Sequence, residues 1–128
     1  GTNYGGKGAA AAAALAEQAF VYVHVEAPDE TGHEGDVQKK VQAIEEFDRH
    51  IVGEMMKVGA QSGTLRILLS PDHATPLSLK THHAMAVPYA MWGAGVERDD
   101  AASYSERAAA QRPVVTGESL LPRLLRKG

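Results

Sequence analysis

The stretch Leu65-Arg66-Ile67-Leu68-Leu69-Ser70-Pro71-Asp72-His73-Ala74-Thr75-Pro76 decides how this chain is read. Its first five residues form a short, mostly apolar run of the length expected for a buried strand. An adjacent Asp–His pair follows at the carboxyl end of that run, between two prolines that fix φ and stiffen the segment. Phe20-Val21-Tyr22-Val23-His24-Val25 repeats the design: it is β-branched and aromatic, and suits a strand buried on both faces, as in a parallel sheet. Asp29-Glu30-Thr31-Gly32-His33 comes directly after it, within an expected loop from Ala27 to Gly35, and His82 follows the later pair. Hard carboxylate oxygens and neutral imidazole nitrogens on a rigid support are what a divalent metal centre requires.

Working outward, Gly5 to Gln18 reads as a helix built on the alanine run Ala9–Ala14, a low-relief surface to lie against a sheet. A long helix follows Asp36, a fitting N-cap, with an apolar stripe through Val37, Val41, Ile44, Ile51 and Met55, widened by Phe47 and Val52. Asp48 falls inside that stripe, where an acid needs a partner, and reads as a structural residue accepting backbone hydrogen bonds. Gln61-Ser62-Gly63 closes the helix. Val87 to Trp92 is a further strand with Pro88 near its start, ending at Gly93-Ala94-Gly95. Glu97 to Arg112 reads as loop plus helix. A last short helix opens at Thr116-Gly117-Glu118-Ser119-Leu120-Leu121, with Leu124 and Leu125 inward and basic residues at its end. The order predicts an α/β fold, a mostly parallel sheet flanked by helices, with ligand sites at the carboxyl ends of strands.

Composition narrows the classes of function. The 128 residues suffice for one domain with a core, and 44% hydrophobic with 23% charged residues is ordinary for a globular protein. The net charge of −3 and the absence of a basic, aromatic-interleaved stripe argue against nucleic acid. No cysteine is present, which excludes disulfides, thiolate catalysis and Cys-based zinc sites, and fits a reducing compartment. No apolar run approaches the roughly 18 residues needed to span a bilayer. Gly1-Thr2-Asn3-Tyr4 has neither Met nor the features of a signal peptide, and reads as a cut through a longer protein. The expectation is a cytoplasmic protein without membrane or nucleic-acid partners.

Phosphate-loop, dinucleotide and nucleophile-elbow motifs are absent, and of six serines Ser70 is the best placed of a weak set. Asp29 and His33 have the spacing D-x-x-x-H, which puts both side chains on one side if the segment makes a helical turn. Asp72 and His73 point to opposite sides in an extended segment, where they can serve two metals or place one ligand while the neighbour reaches across, whereas a bent backbone aims both at one. Either ring of His82-His83 could be the ligand. His24 is either a support behind the ligands or a packed strand residue, and His50 lies on the long helix facing solvent.

These residues also carry a resemblance. Val23-His24-Val25-Glu26-Ala27-Pro28-Asp29-Glu30-Thr31-Gly32-His33-Glu34-Gly35-Asp36 and Leu69-Ser70-Pro71-Asp72-His73-Ala74-Thr75-Pro76-Leu77-Ser78 closely resemble the archaeal-type 2,3-bisphosphoglycerate-independent phosphoglycerate mutases, members of the alkaline phosphatase superfamily. Thr81-His82-His83-Ala84-Met85-Ala86-Val87-Pro88-Tyr89 resembles the next block of that family, and Gly1–Tyr4 and Gly117–Pro122 resemble flanking segments less specifically. The resemblance implies two divalent cations, Mn²⁺ first, with Zn²⁺ or Mg²⁺ as alternatives. Asp29, His33 and His82 would hold one ion. Asp72 and His73 would hold the other together with an Asp and the nucleophilic Ser of an N-terminal segment outside this chain. No catalytic nucleophile would then lie within these residues, and His24 and His83 would be supporting candidates.

The reaction so implied interconverts 3-phosphoglycerate and 2-phosphoglycerate through a phosphoserine, a step of glycolysis and gluconeogenesis. Residues 1–128 would be the C-terminal part of the catalytic domain, without the N-terminal segment and the inserted substrate domain, and inactive alone. The implied partners are a small phosphorylated substrate and the missing N-terminal part of the same protein. Uncovered sheet edges also leave the isolated piece open to forming a homo-oligomer. Two competing readings keep the residues but change the role: another member of the superfamily (phosphatase, phosphonate hydrolase or homoserine kinase-like), or a non-catalytic metal-binding or interaction module.

Overall fold

The structure is a computed structural model and describes residues 1–126. The chain divides into two units, residues 1–61 with 75–83, and residues 62–74 with 84 onward.

The first unit is helical. Helix α1 (Tyr4–Leu15) starts at Asn3, whose side chain accepts a hydrogen bond from the Gly6 amide at 2.9 Å. It buries Gly8 and Ala11 and packs on a π-helical turn, Asp48–Val52, rather than on the sheet expected from its alanine run. The reason lies at Gly8: a Cβ there would overlap the His50 carbonyl oxygen, so the glycine lets the two backbones touch.

Residues 20–25 have no regular secondary structure and, among the described residues, join no ladder. Val21, Val23 and Val25 are half-buried and alternate with exposed Phe20, Tyr22 and His24, the period of a strand with one open face. Burial on both faces, the expectation, is corrected here. Lys7 Nζ donates to the His24 carbonyl at 2.7 Å and ties the segment to α1.

The segment expected as a loop is helix α2 (Ala27–Glu34), entered through Pro28 and closed by Gly35 in the left-handed region at φ +75°. Asp36 caps α3 (Val37–Phe47) as expected, accepting from the Lys39 amide at 3.0 Å. The long helix does not run straight through. The π turn inserts an extra residue, α4 (Gly53–Ser62) continues behind it, and the apolar stripe loses phase. Ile51 and Met55 are buried, whereas Val37, Val41 and Ile44 are half or more exposed, and Asp48 is exposed with them. Asp48 therefore does not occupy the buried position expected of it. The core of this unit is Ala11, Ala43, Ile51 and Met55, with Thr75 as its buried polar residue.

The second unit holds the sheet. Strand β1 (Arg66–Leu69) pairs antiparallel with β2 (Ala90–Gly93) in the register Arg66↔Gly93 to Leu69↔Ala90. The α/β class stands, but the pairing corrects the expected mostly parallel sheet: residues 70–89 contain no crossover helix, which a parallel pair needs. Gly93 sits at φ +120°, where a Cβ would overlap the Leu65 carbonyl. Ser105 caps the short α5 (Glu106–Ala109), and Arg112 clasps Asp99 at 3.1 Å and Asp100 at 2.7 Å. That guanidinium holds the Asp100 carboxyl below its ordinary value. A 3₁₀ turn (Gly117–Ser119) leads into α6 (Leu120–Leu125), which packs on β1. Leu124 is half-buried, but Leu125, expected inward, is 53% exposed. Of the basic end, Arg126 is described and Lys127 lies outside the described residues.

Tyr104 donates its hydroxyl to the carbonyl of buried Pro88 at 2.9 Å. Burial, with Glu106 nearby, pushes its hydroxyl up to about 12. A phenol held protonated above its ordinary value contributes stability that is complete below about pH 10 and is lost as pH rises toward 12. Tyr104→Phe should cost about 1 kcal/mol at pH 8, and urea denaturation should show the difference from wild type shrinking above pH 10.

Candidate metal centre

Helix α2 and the turn that follows Thr75 build the site within the first unit. Residues four apart on a helix share a face, so α2 puts Asp29 and His33 side by side, with His33 Nε2 3.3 Å from Asp29 Oδ2. His82 comes from the later segment: its Nε2 lies 3.1 Å from Asp29 Oδ1 and 3.2 Å from His33 Nε2. The two rings are tilted by 49° with centroids 5.0 Å apart. Among the described residues, this is the group that brings three such donors within 4.8 Å of one another.

The donors' orientation is fixed from behind. His33 Nδ1 lies 2.9 Å from the Lys80 carbonyl, and a carbonyl can only accept, so that nitrogen carries the proton. Nε2 is then left with its lone pair toward Asp29 and His82. Two imidazole nitrogens facing each other at 3.2 Å need a proton or a cation between them. The Thr75 hydroxyl donates to Asp29 Oδ1 at 2.5 Å, and the Thr75 carbonyl accepts from Lys40 Nζ at 2.7 Å. Gly32 makes this approach feasible. A Cβ there would stand 2.7 Å from the Thr75 oxygen and 2.8 Å from Lys40 Nζ.

The donor set fits a divalent cation. An ion with bonds of about 2.0–2.2 Å spaces its neighbouring donors roughly 2.8–3.6 Å apart, depending on octahedral or tetrahedral geometry, and the three separations here are 3.1, 3.2 and 3.3 Å. Two imidazole nitrogens and one carboxylate oxygen are ordinary ligands of divalent metal ions. Three protein donors would leave further coordination positions for water or another ligand.

The remaining candidates are not members of this three-donor group. Asp72 and His73 lie in the second unit on a bend, not an extended segment. His73 Nε2 is 3.4 Å from Asp72 Oδ2, and the His73 amide donates to Asp72 Oδ1 at 3.1 Å. The bent alternative therefore describes them. His24 is stacked on Tyr22 and paired loosely with Glu26 at 3.9 Å, and it is not in the three-donor group. His83 is exposed and outside the group, whereas His82 stands within it. His50 is half-buried rather than fully solvent-facing and pairs with Glu46 at 3.1 Å. The sequence reading missed Thr75, Lys40 and Lys80 as contributors. Only Thr75 carried a signal, its place one residue beyond Ala74 in the Asp72–Pro76 segment.

With this geometry in hand, comparison with known proteins places the chain. A family model described as the metalloenzyme superfamily matches residues 2–117. The chain belongs to the metalloenzyme superfamily. Curated relatives include a 2,3-bisphosphoglycerate-independent phosphoglycerate mutase of Methanothrix thermoacetophila, 46% identical across 86% of this chain and 28% of the relative. A probable enzyme of the same name from Geobacter sulfurreducens is 48% identical across 84% of this chain and 27% of the relative. One from Methanothermobacter thermautotrophicus is 42% identical across 92% and 29%. The chain thus spans between a quarter and a third of the length of these relatives. A solved protein structure from Pyrococcus horikoshii superposes with a TM-score of 0.79 at 31% identity, covering 86% of this chain and 33% of that one. The alkaline-phosphatase-like class expected from the sequence agrees with the metalloenzyme superfamily and this neighbour. Membership of this superfamily, together with the three-donor group, implies use of a divalent metal. No helix among the described residues is long and apolar enough to cross a membrane.

Proposed function

We propose that this chain is the C-terminal part of the catalytic domain of a 2,3-bisphosphoglycerate-independent phosphoglycerate mutase. The observation that carries the proposal is the meeting of Asp29, His33 and His82 in a chain 42–48% identical to proteins of that name. In this reading Asp29 Oδ, His33 Nε2 and His82 Nε2 hold one divalent cation, Mn²⁺ by preference. Asp72 and His73 contribute to a second, completed by an Asp and a nucleophilic Ser outside these residues. Such cations supply charge stabilisation to a phosphoryl group in transfer and make a serine hydroxyl easier to ionise.

The chain's own part is to orient and to balance charge. The Asp29 carboxylate offsets one positive charge. The Lys80 carbonyl keeps the proton of His33 on Nδ1, leaving Nε2 as a donor. Thr75 holds the Asp29 carboxylate in place. Water must be kept from a phosphoserine for a mutase to avoid acting as a phosphatase, and that task would fall to the inserted substrate domain. The protein would work in the cytoplasm on a small phosphorylated substrate, and homo-oligomer formation belongs to the same proposal.

The 128 residues alone, with Mn²⁺ and 3-phosphoglycerate, are expected to give no 2-phosphoglycerate in a coupled assay; turnover by the isolated chain would contradict the division of the site. The full-length protein is expected to interconvert the two phosphoglycerates without releasing inorganic phosphate. Hydrolysis of an aryl phosphate or phosphorylation of homoserine from ATP, with no mutase activity, would assign it to another branch of the superfamily.

A further inference from the structure

We infer that Thr75 and Lys80 are positioning residues for the Asp29–His33–His82 cation site, and that the segment from Thr75 to His82 acts as one clamp on all three ligands. The inference rests on the cation reading given above and goes beyond it. One end of the segment places the Thr75 hydroxyl on Asp29 Oδ1 at 2.5 Å. Its middle places the Lys80 carbonyl on His33 Nδ1 at 2.9 Å. Its far end supplies His82 itself, 3.1 Å from Asp29.

The segment is stiff enough to transmit these positions. The Pro76 carbonyl accepts from both the Leu79 amide at 3.1 Å and the Lys80 amide at 2.9 Å, closing a turn. Thr75 is 5% exposed, and its own carbonyl is held by Lys40 Nζ at 2.7 Å. Lys80 has φ +53°, a left-handed conformation that residues with a side chain seldom adopt, and it is the one described non-glycine residue that does. Such outliers persist where the surroundings over-determine them, and they gather at ligand sites. Here the outlier coincides with the carbonyl that fixes a ligand's tautomer. Gly35 provides room, since a Cβ there would overlap the Lys80 side chain. What matters at position 80 is thus the backbone, whereas at position 75 it is the hydroxyl.

The two roles are separable with Co²⁺ alone as probe, titrated into the chain and followed by its visible absorption. Removing a group that orients a metal ligand typically lowers affinity about 10–100-fold. Thr75→Val should therefore bind Co²⁺ about 10–100-fold more weakly and with an altered spectrum, and Thr75→Ser should restore both. Lys80→Gly, which accepts positive φ and removes the amine, should weaken binding far less than a side chain that resists that φ. Lys80→Val, whose β-branched side chain resists that φ, should weaken binding about tenfold. Circular dichroism of each variant separates loss of folding from loss of binding, and the serine and glycine variants keep the test open if valine unfolds the chain. Wild-type affinity and spectrum in Thr75→Val overturn the role of the hydroxyl, and equal loss in Lys80→Gly and Lys80→Val overturns the backbone role. Failure of the wild-type chain to take up Co²⁺ at all would instead remove the cation reading on which both depend.

Discussion

Asparagine in place of Asp29 is expected to lower the affinity of the chain for Mn²⁺ or Zn²⁺ by more than about 100-fold. The substitution keeps the shape of the side chain and an oxygen able to accept from the Thr75 hydroxyl, which now approaches Asp29 Oδ1 at 2.5 Å. It removes the negative charge that faces two imidazoles at 3.1 and 3.3 Å. Losing a group that merely supports a metal ligand costs about 10–100-fold in affinity, so losing the one anionic ligand of this three-donor group should exceed that range. Asp29 is only partly buried, and the fold should survive the change. Calorimetric titration of wild type and Asp29→Asn with each metal checks this. Equal affinity would mean that the carboxylate is a hydrogen-bond acceptor for Thr75 and nothing more.

The second large effect lies in the packing. Gly8→Ala should destabilise the chain by about 3 kcal/mol, the upper end of what overpacking produces. An added Cβ would overlap the carbonyl oxygen of His50, a backbone atom in the π turn that cannot rotate aside. Relief requires α1 to move off the turn that buries Ile51. Gly5 on the same helix is the control, because a Cβ there meets nothing within 4 Å. Gly5→Ala should be neutral or add up to about 1 kcal/mol through helix propensity. Urea denaturation of both variants measures the contrast, and equal midpoints would remove the close approach of α1 from the account.

The same residues show where the sequence was informative and where it was not. The grouping of Asp29, His33 and His82 was legible because carboxylate and imidazole donors are chemically restricted types, and their spacing after apolar runs marks the ends of elements. The cap at Asp36 and the stop at Gly63 were legible because both rest on local chemistry. The stripe Val37–Val41–Ile44 was misjudged because periodicity reports an apolar face, not what covers it. The π turn at Asp48–Val52 then shifts the phase, so that Ile51 and Met55 are buried on a different face from Ile44. The strand-like alternation of residues 20–25 is real, but pairing depends on neighbours that the segment's own residues cannot specify. The antiparallel pair Arg66–Leu69 and Ala90–Gly93 was missed for a related reason, since direction is set by the connection and not by strand composition. Lys80 was invisible because nothing in a lysine announces a positive φ or a carbonyl aimed at a histidine.

X-ray absorption at the Zn or Mn edge, on the chain loaded with one equivalent of metal, reports whether Asp29, His33 and His82 bind one ion together. A bound ion with two imidazole nitrogens and a carboxylate oxygen at about 2.0–2.2 Å is expected, with loss of one nitrogen in His33→Ala and in His82→Ala. An ion whose coordination is unchanged by both substitutions, or no bound ion with metal in excess, would contradict this.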